Sequence, residues 1–277
     1  MPQWAAFVGL LGFLLTVLLG LSKLSQRSLS GDRAAVTAGT ASPERLRAAG
    51  PADDTYPRFE TQRTARRRRH VEDRAGHRLS AGTLLANVAL TQGLFGLLLV
   101  GGAVLFEIPA AAFGVTADAL STGLPAVGVG VAAGVGFWVG NEFAAAVADG
   151  FGIGVDESLR ELLAPDSAGG WVVLLAVVLP VIAVVEELLF RAAAIGVTVA
   201  GLGAPAWGMV AVSSVAFALG HGAQGRVGIV VTGVLGAALG AVFVLTNSLL
   251  AVVVAHYLVN ALELTVHEGL GVARPSV

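Results

Sequence analysis

The chain has 277 residues, of which 55% are hydrophobic and only 13% charged, and its formal net charge is −2. Soluble domains carry about 25% charged residues, so this balance excludes an ordinary soluble domain and predicts an all-α, polytopic transmembrane helical bundle of about seven or eight helices. There are no cysteines, which excludes disulfides, thiolate metal sites and a cysteine nucleophile.

Residues Trp4 to Leu21 contain no charge, and at about 1.5 Å per residue they are long enough to cross a bilayer. No basic side chain precedes this run, and Lys23 and Arg27 follow it directly, so it reads as a retained anchor (residues 1–22) rather than a cleaved signal. Residues 23–81 are different in kind. They hold thirteen of the seventeen Lys and Arg residues, including Arg66-Arg67-Arg68-Arg69. Such a tract suits a solvated loop facing anionic lipid better than a nucleic-acid site. The positive-inside tendency places this loop in the cytoplasm and the N-terminus outside.

Further apolar spans are expected at Leu84–Leu105, Leu124–Gly140, Trp171–Val199, Pro205–Leu219, Val227–Leu245 and Leu249–Leu264. They divide into a pair within 82–150 and a helical core within 151–277. Alternating the spans puts Arg160, Arg226 and Arg274 on the same side as the basic loop. Asp156–Leu163 reads as a short interfacial helix. Glycines at helical packing intervals, Gly130 and Gly134, Gly136 and Gly140, Gly236 and Gly240, suit close helix approach in lipid. Pro180 is expected to kink its helix.

Charge returns where it is expensive. Glu186, Glu187 and Arg191 interrupt the Trp171–Val199 span. A charge at bilayer depth costs about 2.5–3.5 kcal/mol on insertion scales, which makes an intramembrane cluster a functional-site candidate. Glu187 and Arg191 stand four apart on one helix face and can pair. Glu186 points about 100° away and needs a partner from another helix. Two later spans offer partners: Phe217-Ala218-Leu219-Gly220-His221, and His256-Tyr257-Leu258-Val259-Asn260.

One carboxylate, two imidazoles and an amide make a usable hydrolytic set. Glu186 or His221 can act as general base toward water, and His256 and Asn260 can donate hydrogen bonds to a developing oxyanion. Alternatively Glu186, His221 and His256 can hold a divalent metal such as zinc, since two His and one Glu form a catalytic zinc set. The His-Glu-x-x-His helix signature is absent, so spacing alone does not demonstrate metal binding.

Glu186-Glu187-x-x-x-Arg191, Phe217-x-x-x-His221 and His256-x-x-x-Asn260 resemble, in order and on successive spans, the three motifs of the CPBP family. This family comprises CAAX-processing endoproteases and their bacterial and archaeal relatives, bacteriocin-immunity proteins among them. The resemblance covers about Trp171 to Leu264. It implies an intramembrane endopeptidase acting on a protein or peptide substrate, with Glu186 and His221 activating water. It further implies that His256 and Asn260 stabilise the oxyanion and that Glu187, Arg191 and Phe217 support the site. A non-catalytic scaffold or immunity-type protein of the same fold is the alternative, and a proton relay or transporter the third reading. Two points stay open. Glu263, seven residues past His256, has no assigned role. Counted along straight helices, His221 lies nearer the cytoplasmic side than His256, so the three sites meet only through tilt, the Pro180 kink or a fifth helix set deep in the bundle.

Overall fold

The computed structural model describes residues 1–40, 81–151, 158–165 and 167–272. The Arg66–Arg69 run and Arg274 lie outside the described residues. The chain forms two units, Met1–Leu24 with Ala81–Val277, and Ser25–Ser80; the second is helical through Thr40. Among the described residues there is helix and no strand. The principal helices are α1 (Trp4–Thr40), α2 (Ala81–Leu105), α3 (Leu124–Gly150), α4 (Ser158–Leu163), α5 (Ala168–Leu202), α6 (Ala206–Gly220), α7 (Gly225–Thr246) and α8 (Leu249–Leu264, continued by a π-turn at Thr265–Gly269). Six of them contain apolar stretches long enough to cross a membrane, and α6 is apolar but shorter. The protein is an integral membrane, all-α bundle.

The helices start and stop for local reasons. Ser167 caps α5 by accepting from the Gly170 amide at 3.1 Å, and Ser248 caps α8 by accepting from the Ala251 amide at 3.0 Å, each satisfying an amide that the first helical turn leaves unpaired. α5 is wound unevenly. It is α-helical at Ala168–Val173, π-helical at Leu174–Val178, α-helical at Leu179–Glu187, π-helical at Leu188–Val197 and α-helical again to Leu202. The first π-turn lies just before Pro180, where the missing N–H and the ring's bulk disfavour regular α winding.

α5 is the central element. One cluster packs Phe7, Leu11 and Leu14 of α1, Phe95 and Leu99 of α2, and Phe113 against Leu189 and Phe190 of α5. A second joins Leu85 of α2 and Leu174 and Leu179 of α5 to Leu264 of α8. A third joins Ile195 of α5 to Val210 of α6, Leu239 and Phe243 of α7 and Val252 and Ala255 of α8. Leu90, Leu97 and Val104 of α2, Phe143 of α3, and Val230 and Val234 of α7 stay exposed. Apolar side chains facing outward all round the bundle suit hydrocarbon, not water.

The glycine expectation divides. A Cβ on Gly130 would stand 2.6 Å from the Ala251 carbonyl oxygen, and one on Gly134 2.8 Å from that of Ala255. These two glycines therefore set how closely α3 approaches α8. Gly236 and Gly240 likewise face Phe217 and Val210. Gly136 and Gly140 meet nothing within 4 Å, because they lie on the opposite face of α3; small residues at the right interval do not say which face packs. The short helix expected at Asp156–Leu163 begins at Ser158, its Leu163 joins the core, and Val155 and Asp156 fall outside the described residues.

Candidate functional site

Glu186 lies 18 residues after Ala168 and 16 before Leu202 in α5, near mid-span. The helix continues into the wider π winding two residues later. Glu187 and Arg191 are fully enclosed, and Glu186 is buried. Arg191 Nη1 donates to Glu187 Oε1 at 2.7 Å, and Nη2 donates to the Gly236 carbonyl of α7 at 3.1 Å. The guanidinium also lies 4.4 Å from the centre of the Phe217 ring, a cation–π contact that offsets part of its desolvation. Phe217 in turn meets His256 edge-on at 5.9 Å and His221 at 4.5 Å between ring centres.

α6 delivers His221. The helix has 15 residues, which span about 22 Å against a hydrocarbon core of about 30 Å. Its C-terminal end brings His221 Nε2 to 3.8 Å from Glu186 Oε2, and this removes the depth mismatch that straight, full-length spans would impose. His221 ends the helix, and its Nδ1 lies 2.8 Å from the Phe217 carbonyl oxygen one turn back. A carbonyl only accepts, so this nitrogen carries the proton and Nε2 presents a lone pair. His256 arrives from α8, and its Nδ1 lies 2.7 Å from Glu187 Oε1. That carboxylate oxygen accepts from both the arginine and the imidazole. The neutral His256 ring thus also presents a bare Nε2 and donates from it only when it carries both protons.

Both Nε2 atoms face one target. Each lies 3.8 Å from Glu186 Oε2, and that oxygen is buried without a hydrogen-bond partner. The separation is too long for direct hydrogen bonds and suits a water about 2.8 Å from each group. Three acceptors converging in a buried site need a proton, the hydrogens of water, or a cation between them. The other oxygen of Glu186 is held: Gln92 Nε2 of α2 donates to Oε1 at 3.1 Å. Asn260, one turn beyond His256 and half-buried, makes no hydrogen bond among the described residues. Its amide is available to a bound molecule.

Residues 168–262 match the family model of the type II CAAX prenyl endopeptidase Rce1-like proteins. The match covers the helical core from α5 to α8. No curated protein and no solved structure gives a significant match. The matched segment holds all four polar positions, Glu186, His221, His256 and Asn260, together with Glu187, Arg191 and Phe217. The family it resembles is one of endopeptidases.

Sequence reasoning missed Gln92, which lies outside the matched segment on an apolar helix. Its one signal was an uncharged amide inside a hydrophobic run, which carries no indication of a partner. Glu263 now has neighbours. Arg160 of α4 donates to its Oε1 at 2.8 Å and to Glu268 Oε1 at 2.6 Å, and Asn141 of α3 approaches its Oε2 at 3.5 Å. For metal ions, Glu186, His221 and His256 fit in donor type. Both imidazoles are oriented through Nδ1 by an acceptor, the usual outer-shell arrangement of metal-bound histidine, and one carboxylate oxygen is uncommitted. The described acid and imidazole groups whose ligand atoms all lie within 4.8 Å of one another are Glu142, Glu263 and His267, a second cluster at the end of α8.

Proposed function

We propose that this protein is an intramembrane endopeptidase that hydrolyses peptide bonds of membrane-associated proteins by activating a water at Glu186. The observation that carries this reading is the uncommitted Glu186 Oε2, 3.8 Å from the Nε2 atoms of both His221 and His256. Water held between Glu186 Oε2 and His221 Nε2 loses a proton to the carboxylate as its oxygen attacks the scissile carbonyl carbon. The carbonyl electrons move onto the oxygen, which the Asn260 amide and doubly protonated His256 stabilise by hydrogen bonds. Glu187, itself neutralised by Arg191, supports the charge on His256. The proton on Glu186 then passes to the departing nitrogen as the carbonyl re-forms and the C–N bond breaks, giving one new carboxylic acid and one new amine, and the acid's proton then passes to the amine or to solvent.

Glu186, His221 and His256 would also hold a divalent ion such as zinc, which would supply Lewis-acid polarisation of the carbonyl and a more acidic water. The basic loop, residues 23–80, faces the cytoplasm on this reading, since it carries thirteen of the seventeen Lys and Arg residues.

The test compares membranes from cells expressing the wild type, Glu186→Gln or His221→Ala at equal levels. The same set of membrane proteins should persist uncleaved with both variants and be processed with the wild type. Identical membrane proteomes in all three would reject the peptidase reading in favour of a non-catalytic scaffold.

A further inference from the structure

The end of α8 carries a second polar constellation that the peptidase reading does not use. Glu263 and His267 are four residues apart at the junction of α8 with its terminal π-turn, a spacing that puts both side chains on one helix face. Glu142 comes from α3. One ligand atom from each of Glu142, Glu263 and His267 lies within 4.8 Å of the others. His267 Nε2 is 3.0 Å from Glu142 Oε1 and 3.9 Å from Glu263 Oε2.

The imidazole shows what these atoms face. His267 is 8% exposed, and its Nδ1 lies 2.7 Å from the Val272 carbonyl oxygen. Since that oxygen only accepts, Nδ1 carries a proton, and with a single proton on the ring Nε2 aims a bare lone pair into the cluster, 3.0 Å from Glu142 Oε1. There it meets carboxylate oxygens, which are acceptors as well. A buried lone pair directed at two carboxylates is not satisfied by them; it needs a cation or a second proton at that point. The outer contacts also match a ligand set. The imidazole is fixed through Nδ1 by a backbone carbonyl, the far oxygen of Glu263 is held by Arg160 at 2.8 Å, and its Oε2 lies 3.9 Å from His267 Nε2 and 3.5 Å from the Asn141 amide nitrogen. Metal-binding histidines and carboxylates are oriented in this way by their neighbours.

We propose that Glu142, Glu263 and His267 bind a divalent transition-metal ion of the zinc class, which clamps the end of α3 to the end of α8. One imidazole and two carboxylates suit zinc or manganese rather than a soft monovalent ion, and oxygen-only calcium sites do not use imidazole. The site is distinct from that at Glu186. Its ligands come from α3 and the last turns of α8, and Glu263 lies seven residues beyond His256. It secures the helix that bears His256 and Asn260 without contributing to the water-activating group.

The test uses the full chain in detergent, stripped with chelator and titrated with Zn²⁺ alone. His221→Ala, which removes a ligand from the Glu186 site, should retain a zinc equivalent that His221→Ala/His267→Ala lacks, and Glu142→Gln in the same background should bind it on the order of 10–100-fold more weakly. X-ray absorption on zinc-loaded His221→Ala should show nitrogen and oxygen neighbours at about 2.0–2.2 Å with one imidazole. Added Zn²⁺ should raise the melting temperature of His221→Ala and leave that of the double variant His221→Ala/His267→Ala unmoved. Zinc binding in the His267→Ala and Glu142→Gln double variants equal to that of His221→Ala, or no zinc uptake by His221→Ala, would overturn the proposal and leave a doubly protonated His267 bridging two carboxylates. Should His267→Ala not fold, Glu142→Gln and Glu263→Gln, which keep side-chain volume, decide the question by the same titration.

Discussion

Replacing Arg191 with alanine tests how the site is held together. The guanidinium is fully enclosed, and it serves three groups at once: Glu187 Oε1 at 2.7 Å, the Gly236 carbonyl at 3.1 Å and the Phe217 ring at 4.4 Å. Removing one partner of a buried ion pair costs about 3–5 kcal/mol, because the other charge is stranded. The lost cation–π contact overlaps with that loss rather than adding fully to it. Taking about 4 kcal/mol as representative, and about 2–4 °C per kcal/mol for a chain of this size, the melting temperature should fall by about 8–16 °C. The assay is intrinsic tryptophan fluorescence on heating in detergent, with monodispersity checked by size exclusion. A control separates charge from shape. Glu187→Gln combined with Arg191→Met removes both charges and keeps an acceptor for His256, so it should recover most of the loss. An Arg191→Ala variant melting within about 2 °C of wild type, or a double variant no better than the single, would refute the reasoning that an uncompensated charge is the source.

Other consequences follow from the same packing. Gly134→Leu sets a Cβ 2.8 Å from the Ala255 carbonyl oxygen, where backbone must move, and should cost about 1–3 kcal/mol and displace His256; Gly136→Ala, which meets nothing within 4 Å, should melt with wild type. Gln92→Leu frees Glu186 Oε1 and should lower the cleavage rate about tenfold or more while the melting temperature holds, because a misaimed base loses positioning and the chain loses only one partly buried hydrogen bond. Equal rates for Gln92→Leu and wild type would remove Gln92 from the site.

The charged members of the site were legible because hydrocarbon makes them conspicuous. Glu186, Glu187 and Arg191 break an otherwise unbroken apolar run, and the two His motifs fall on neighbouring spans. The partner of Glu187 on its own helix followed from the four-residue spacing, and the structure gives that pair at 2.7 Å. What could not be read depends on relations between helices. That Gln92 reaches Glu186 across 94 positions follows from how α2 leans on α5, which no local pattern encodes. The π winding around Arg191 has no composition signal beyond the proline upstream. The shortness of α6 was visible in its length, but its consequence, a histidine at the depth of Glu186, needed the surrounding helices. Glu263 was conspicuous as an acid near a span end, yet its neighbours Arg160 and Asn141 lie more than 100 residues away. Gly136 and Gly140 show the converse: a packing-like interval that faces outward.

The most direct measurement is the cleavage rate of membrane-inserted peptides by purified protein in liposomes, wild type against Glu186→Gln, with equal melting temperatures established first. Gln keeps the shape and the bond from Gln92 but cannot take a proton from water. The rate should fall by about 10²–10⁴, the usual contribution of a general base. Cleavage by Glu186→Gln at the wild-type rate would contradict the assignment of Glu186 as the group that activates water.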